Sequence, residues 1–185
     1  MIKMLSQATI LMAGVLAVGG CTLGQAKTSA PVAKAAAADY QAPVPPSPPA
    51  ANIRAICYNA ADLAVVRARM VQQELVVATL QCQNQGGSRA YEAQYGAFIG
   101  KFQSELSSNS RSLTDVARRK RLNVDVFVTE VANRTAQRAP TDREFCSRSK
   151  RALDWALDPK VSSLNQVPPP FDLGPEMNIF ACPAP

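Results

Sequence analysis

The chain has 185 residues, a formal net charge of +6, five cysteines and no histidine. That length holds one ordinary domain with room for a leader and a tether. The missing histidine removes the commonest general base and the commonest zinc ligand. No two cysteines form a CxxC pair, which argues against a thioredoxin-type redox site or a zinc knuckle and implies no cofactor or metal.

In chain order the first feature is a leader. One cation, Lys3, precedes the charge-free apolar run Ala8–Val18 and the small pair Gly19-Gly20. Basic start, apolar middle and small-residue exit are the order of a bacterial secretory signal. The run is shorter than the roughly 20 apolar residues that a membrane-spanning helix needs. "VGGC" at 18–21 resembles the lipobox of bacterial lipoproteins. The resemblance implies removal of residues 1–20 and lipidation of Cys21 as the new N-terminus. With Thr22 rather than Asp next, it also implies an anchor in the outer membrane, on its periplasmic face. Several acyl chains at about 0.8 kcal/mol per buried methylene would make that attachment persistent. An ordinary leader cut near Cys21, or a short membrane anchor, is the alternative.

Residues 21–52 read as a tether. Ala, Pro, Ser and Lys dominate from Thr22 to Asn52, and "PVPPSPP" favours extended polyproline II over a packed core. Fully extended, it would reach roughly 90 Å at about 3 Å per residue.

A helical domain is expected over 53–158. Leu63, Val66, Met70, Val77 and Leu80, widened by Val71, Leu75 and Ala78, mark a long amphipathic helix that stops at "NQGG", Asn84–Gly87. A second helix carries Tyr91, Tyr95, Phe98, Ile99, Phe102 and Leu106 on one face, a stripe that fits core better than a ligand cavity. It is expected to break at Ser107–Ser110, with Ser110 capping the next helix. The third region, about 112–137, slips in phase near Asn123, where a bend or break is expected. "TDRE", Thr141–Glu144, has the pattern of a capping box opening a fourth helix through Phe145, Cys146, Ser149, Leu153 and Leu157, which Pro159 ends. Residues 159–185 form a proline-rich tail.

Four helices with short connections predict an all-α, up-down four-helix bundle. If Cys21 is lipidated, Cys57, Cys82, Cys146 and Cys182 remain, an even set that fits two disulfides in an exported protein. With Cys57 and Cys82 on one helix, 25 steps of 1.5 Å put them roughly 37 Å apart, beyond the reach of about 7 Å between Cα atoms. Up-down topology then brings Cys82, at the top of the first helix, to Cys146 in the first turns of the fourth. The tail returns Cys182 to Cys57 at the bottom. "VVATLQC", "YGAFIGKF", "FVTEVANRTA" and "FC" are similar to a set of uncharacterised exported proteins of alphaproteobacteria, over about residues 55–150. That resemblance implies the helical body and the Cys82–Cys146 pair, and brings no catalytic residue.

The remaining chemistry is sparse. Arg118, Arg119, Lys120 and Arg121 form a run within a segment, Arg111–Arg151, that holds 11 cations against 5 anions. A nucleic-acid partner is the usual inference from such clusters, but an exported chain would not meet one. A solvated helix face is the plainer reading. A surface for anionic headgroups or an acidic envelope protein is the sharper one. Glu74, Glu92, Glu105, Asp125 and Glu130 are scattered, and no GxSxG elbow or Walker loop is present. The expectation is therefore a lipid-anchored binding or scaffolding component of the envelope, not an enzyme. A small carboxylate-dependent hydrolase of peptidoglycan and a carrier of an apolar ligand are the alternatives.

Overall fold

The computed structural model describes residues 40–41 and 49–183. The leader, Cys21 and most of the expected tether lie outside the described residues. The order of elements is β1 (Ile56–Tyr58), α1 (Ala60–Gln81), α2 (Glu92–Lys120), α3 (Val124–Arg138), α4 (Phe145–Leu157), a 3-10 turn (Leu164–Gln166) and β2 (Ile179–Ala181).

Helix α1 begins where the Asn59 side chain accepts the Asp62 N–H at 2.8 Å, occupying one of the amide donors that a helix start leaves unpaired. Its apolar residues spread beyond a single stripe, and the helix is central: α2, α3 and α4 all pack against it. On one side Val66, Met70 and Val77 meet Leu113 and Val116 of α2, Phe127 and Val131 of α3, and Phe145. On the other, Ala68, Val71 and Leu75 meet Phe98, Phe102 and Leu106 of α2 and Ala152, Leu153 and Ala156 of α4. The aromatic stripe is thus core at Phe98 and Phe102. Tyr91 is half-buried, its hydroxyl donating to the Cys146 carbonyl at 3.0 Å.

The expected break at Ser107–Ser110 does not occur; α2 runs straight through it. The Ser110 hydroxyl donates to the Leu106 carbonyl four residues back, and Thr114 does the same to Ser110, so these polar side chains return their hydrogen bonds to the helix. Leu106, Asn109 and Leu113 keep the buried stripe in phase. The irregular position is Phe102, with φ −106° and ψ 17°. The helix ends at Lys120, where Arg121 turns left-handed at φ 53° and the Leu122 N–H reaches back to the Ala117 carbonyl. The phase slip near Asn123 is therefore a true break. Asn123 caps α3 by accepting the Val126 N–H at 3.0 Å. Asn123→Ala should cost about 1 kcal/mol and lower the melting temperature by about 2–4 °C. An unchanged melt would show the cap to be idle.

The capping box at Thr141 is not formed. The Thr141 hydroxyl donates to carbonyls at the end of α3, the Glu144 N–H goes to the Asp142 carboxylate, and α4 starts at Phe145. The described residues are mostly helical, with four helices as expected and one short ladder that the sequence did not disclose. β1 and β2 form a two-stranded parallel ladder pairing Ile56 with Ile179, Cys57 with Phe180 and Tyr58 with Ala181. Cys57 accordingly lies in a strand, ahead of the first helix. Three residues per strand are too few for an alternating pattern to show in the sequence.

Both disulfides pair as expected: Cys57–Cys182 with Cα atoms 4.7 Å apart and Cys82–Cys146 at 5.7 Å. The proline-rich tail is built into the helical bundle. Val161, Leu164, Val167, Phe171, Leu173, Met177 and Ile179 are all buried, and the Phe171 ring stacks on Phe145 with centroids 5.2 Å apart. Two residues of the segment read as tether also pack on the body. Tyr40 is buried with its hydroxyl on the Pro168 carbonyl, and the Ala50 N–H donates to the Glu176 carbonyl.

Candidate functional site

The basic run was the first candidate, and two of its four cations hold other elements of the fold. Arg119 pairs with Asp62 at 2.6 Å. The Lys120 ammonium donates to the Cys57 carbonyl at 2.9 Å, lies 3.9 Å from Asp62, and sits 5.5 Å from the centre of the Tyr58 ring. These two side chains fasten the end of α2 to β1 and to the first turn of α1, where a carboxylate also suits the helix dipole. Arg118 pairs with Asp115 on its own helix, and Arg121 is exposed at the left-handed turn. Three of the four, Arg118, Arg119 and Arg121, keep exposed side chains.

A second set of charges holds the tail. Arg134 bonds Glu130 at 2.7 Å and Glu176 at 3.0 Å, and Arg138 also bonds Glu176. The Arg138 and Arg148 guanidiniums lie 5.9 and 5.6 Å from the Phe171 ring centre. Beneath them Glu74 is fully buried in α1. One carboxyl oxygen accepts the Phe171 N–H at 2.9 Å, and the other has no hydrogen-bond partner. Burial raises its pKa well above the usual carboxylate range, against the opposing pull of the Phe171 N–H and of Arg138. The sequence held a signal for this: Glu74 is four residues after Met70 and three before Val77, on the helix's own apolar stripe.

The surface that remains open is a cleft over the first half of α1. One hollow of about 450 Å³ has a floor of Ala60, Ala64 and Ala68 and polar rims from Gln41, Arg67, Asn165 and Asp172. A second, of about 390 Å³, shares Ala64, Ala68 and Asn165 and extends to Ser104, Ser108 and Ser112 of α2. Glu105 fixes the wall between helix and tail, one oxygen accepting from both the Ser163 hydroxyl and the Leu164 N–H at 2.9 Å. A third hollow, of about 320 Å³, lies across Arg67 and Asp172 and is lined by Met70 and the exposed Phe180. The cleft joins α1, α2 and the tail, segments far apart in the chain, and no sequence motif marks it.

Among the described residues no three His, Cys, Asp or Glu side chains gather as a metal cage, and no helix is long and apolar enough to cross a membrane. Compared with protein-family models, with curated proteins and with solved structures, the chain matches none.

Proposed function

We propose that this chain is a lipoprotein anchored through Cys21 in the outer membrane, whose helical body binds a partner on the periplasmic face rather than catalysing a reaction. The observation that supports it most is the use of the cysteines. Four of the five pair within the body, so the odd one is Cys21, which stands in the "VGGC" context of a lipobox. Disulfides persist in oxidising compartments such as the periplasm, which agrees with the leader. On this reading the Pro/Ala-rich stretch spaces the body from the membrane, the four helices alternate up and down, and the cleft over α1 is the binding site. The partner is an envelope protein or an anionic lipid, not a nucleic acid.

Labelled palmitate supplied to growing cells should enter the wild-type protein and not a Cys21→Ala variant, which should leave the outer-membrane fraction. Label retained by that variant would sink the anchor.

A further inference from the structure

A strand offers its main chain along two edges, and β2 uses only one of them fully. Alternate residues of a strand turn their N–H and C=O groups to opposite edges. The Cys182 N–H donates to the Tyr58 carbonyl of β1 at 2.9 Å, whereas the Ile179 N–H turns the other way, to the Gly174 carbonyl at 2.8 Å. Ala181, two residues after Ile179, also turns away from β1, and it is exposed. Among the described residues its N–H and C=O have no hydrogen-bond partner.

The hollow of about 320 Å³ lies along that free edge. Ile179, Phe180 and Ala181 all line it, although Phe180 faces the opposite side of the strand from its two neighbours. A hollow that touches both faces of a strand lies at an edge, and β1 covers the other edge. Its volume is at the small end of the roughly 300–1,000 Å³ of ligand pockets, which suits a small molecule.

Three kinds of group meet there. Leu63 of α1 and Ile179 form an apolar floor, and Phe180, 45 % exposed, extends it to the surface. Arg67, one turn after Leu63, supplies a cation, and Asp172 of the tail supplies an anion. Both residues are exposed, and among the described residues neither belongs to an ion pair. One Asp172 oxygen accepts the Gly174 N–H at 3.1 Å, which leaves the other unused. A purely anionic ligand would meet Asp172, and a purely cationic one Arg67, with a charge of its own sign. A ligand that matches every group carries an anion, a cation and an apolar side chain within a few bonds of each other.

We propose that this hollow binds a free α-amino acid with a large apolar side chain. The ligand's carboxylate meets Arg67 and the Ala181 N–H, its ammonium meets Asp172 and the Ala181 carbonyl, and its side chain covers the floor beside Phe180. Hydrogen bonds between ionised partners are the strong ones, and every protein group used here is on an exposed residue. This adds a small-molecule site to the partner binding proposed above and does not depend on it.

The test is calorimetric titration of the full-length lipidated protein in detergent micelles with L-leucine at neutral pH. Leucine should bind, and in ¹⁵N-labelled protein it should shift the Ala181 amide signal. Arg67→Gln and Asp172→Asn, the second keeping an oxygen for the Gly174 N–H, should each weaken binding at least about tenfold, or about 1.4 kcal/mol, with the melting temperature unchanged. Glycine, which lacks the side chain, and N-acetyl-leucinamide, which lacks both charges, should bind more weakly by a similar factor. No heat and no shift at millimolar leucine, or full affinity in both charge variants, would overturn the proposal. So would isocaproate or isoamylamine, each with one of leucine's two charges, binding as tightly as leucine. Palmitate labelling tests the anchor separately.

Discussion

Replacing Cys57 and Cys182 together by alanine should lower the melting temperature by about 10–20 °C. In the loop-entropy picture a cross-link between residues 125 apart removes about 5 kcal/mol of freedom from the unfolded chain. A body of this size shifts by about 2–4 °C per kcal/mol. The local effect should be uneven. β1 and β2 pair over only three residues each, and an isolated two-stranded ladder is marginal in water. Hydrogen exchange should therefore rise first at 56–58 and 179–182, while α1 and α3 stay protected. The companion pair, Cys82 and Cys146, spans 64 residues and contributes about 4 kcal/mol by the same reasoning. The two bonds also differ in exposure. Cys82 is buried, whereas Cys57 is exposed and Cys182 half-exposed, so mild reductant should open Cys57–Cys182 before Cys82–Cys146. Mass-tagging of the freed thiols reads that order. The reverse order, or a melt that ignores the loss of Cys57–Cys182, would contradict the role given to the tail's staple.

The parts of the fold that the sequence discloses are those under rigid local constraint. A helix without Gly or Pro has a fixed rise, and a disulfide has a fixed reach; together they exclude Cys57–Cys82. The misread serines show the limit of local polarity as a signal. Ser107–Ser110 resembles a loop, yet the Ser110 hydroxyl returns to the carbonyl one turn back, and the buried stripe from Leu106 to Leu113 decides for helix. The converse error concerns Thr141, whose hydroxyl goes to the end of the preceding helix instead of starting the next. Apart from the two disulfides, the partners in long-range ties could not be named from the sequence. Arg119 reads as part of a cationic run because its partner, Asp62, is 57 residues away. Tail residues look like linker because the bond from the Phe171 N–H to Glu74 spans 97 residues. Tyr40 stands as a lone aromatic in an Ala/Pro-rich stretch, and only the pocket formed by α4 and the tail explains its burial. The cleft belongs to the same class: each wall looks like an ordinary small-residue helix face until the three segments meet.

Glu74→Gln should leave stability nearly unchanged in acid and raise it progressively as the pH increases. The folded protein holds the Glu74 carboxyl neutral because burial disfavours its charge, whereas the unfolded chain releases that proton near pH 4.3. A folded-state pKa raised above the unfolded one contributes stability that is full below about pH 4.3 and is lost as pH rises toward the folded value. The loss runs at up to about 1.4 kcal/mol per pH unit. Glutamine has the same shape, cannot ionise, and keeps an oxygen for the Phe171 N–H. Its amide nitrogen replaces the oxygen that has no partner, so at pH 5 the variant should lie within about 1 kcal/mol of the wild type. Between pH 5 and 8.5 the difference should grow in the variant's favour, because burial strips ionised Glu74 of its hydration and sets it near Asp172, with the Phe171 N–H and Arg138 offsetting only part of that cost. Glu74→Ala separates charge from packing. It leaves the Phe171 N–H unpaired and opens a cavity beside α1, and should cost about 2–4 kcal/mol at pH 5, where ionisation of the unfolded chain has removed only about 1 kcal/mol of the wild type's stability. Urea titrations of the three proteins at pH 5, 7 and 8.5 decide the matter. A glutamine-minus-wild-type difference that stays flat with pH would mean that Glu74 keeps its charge in the fold, with Arg138 neutralising it across the tail.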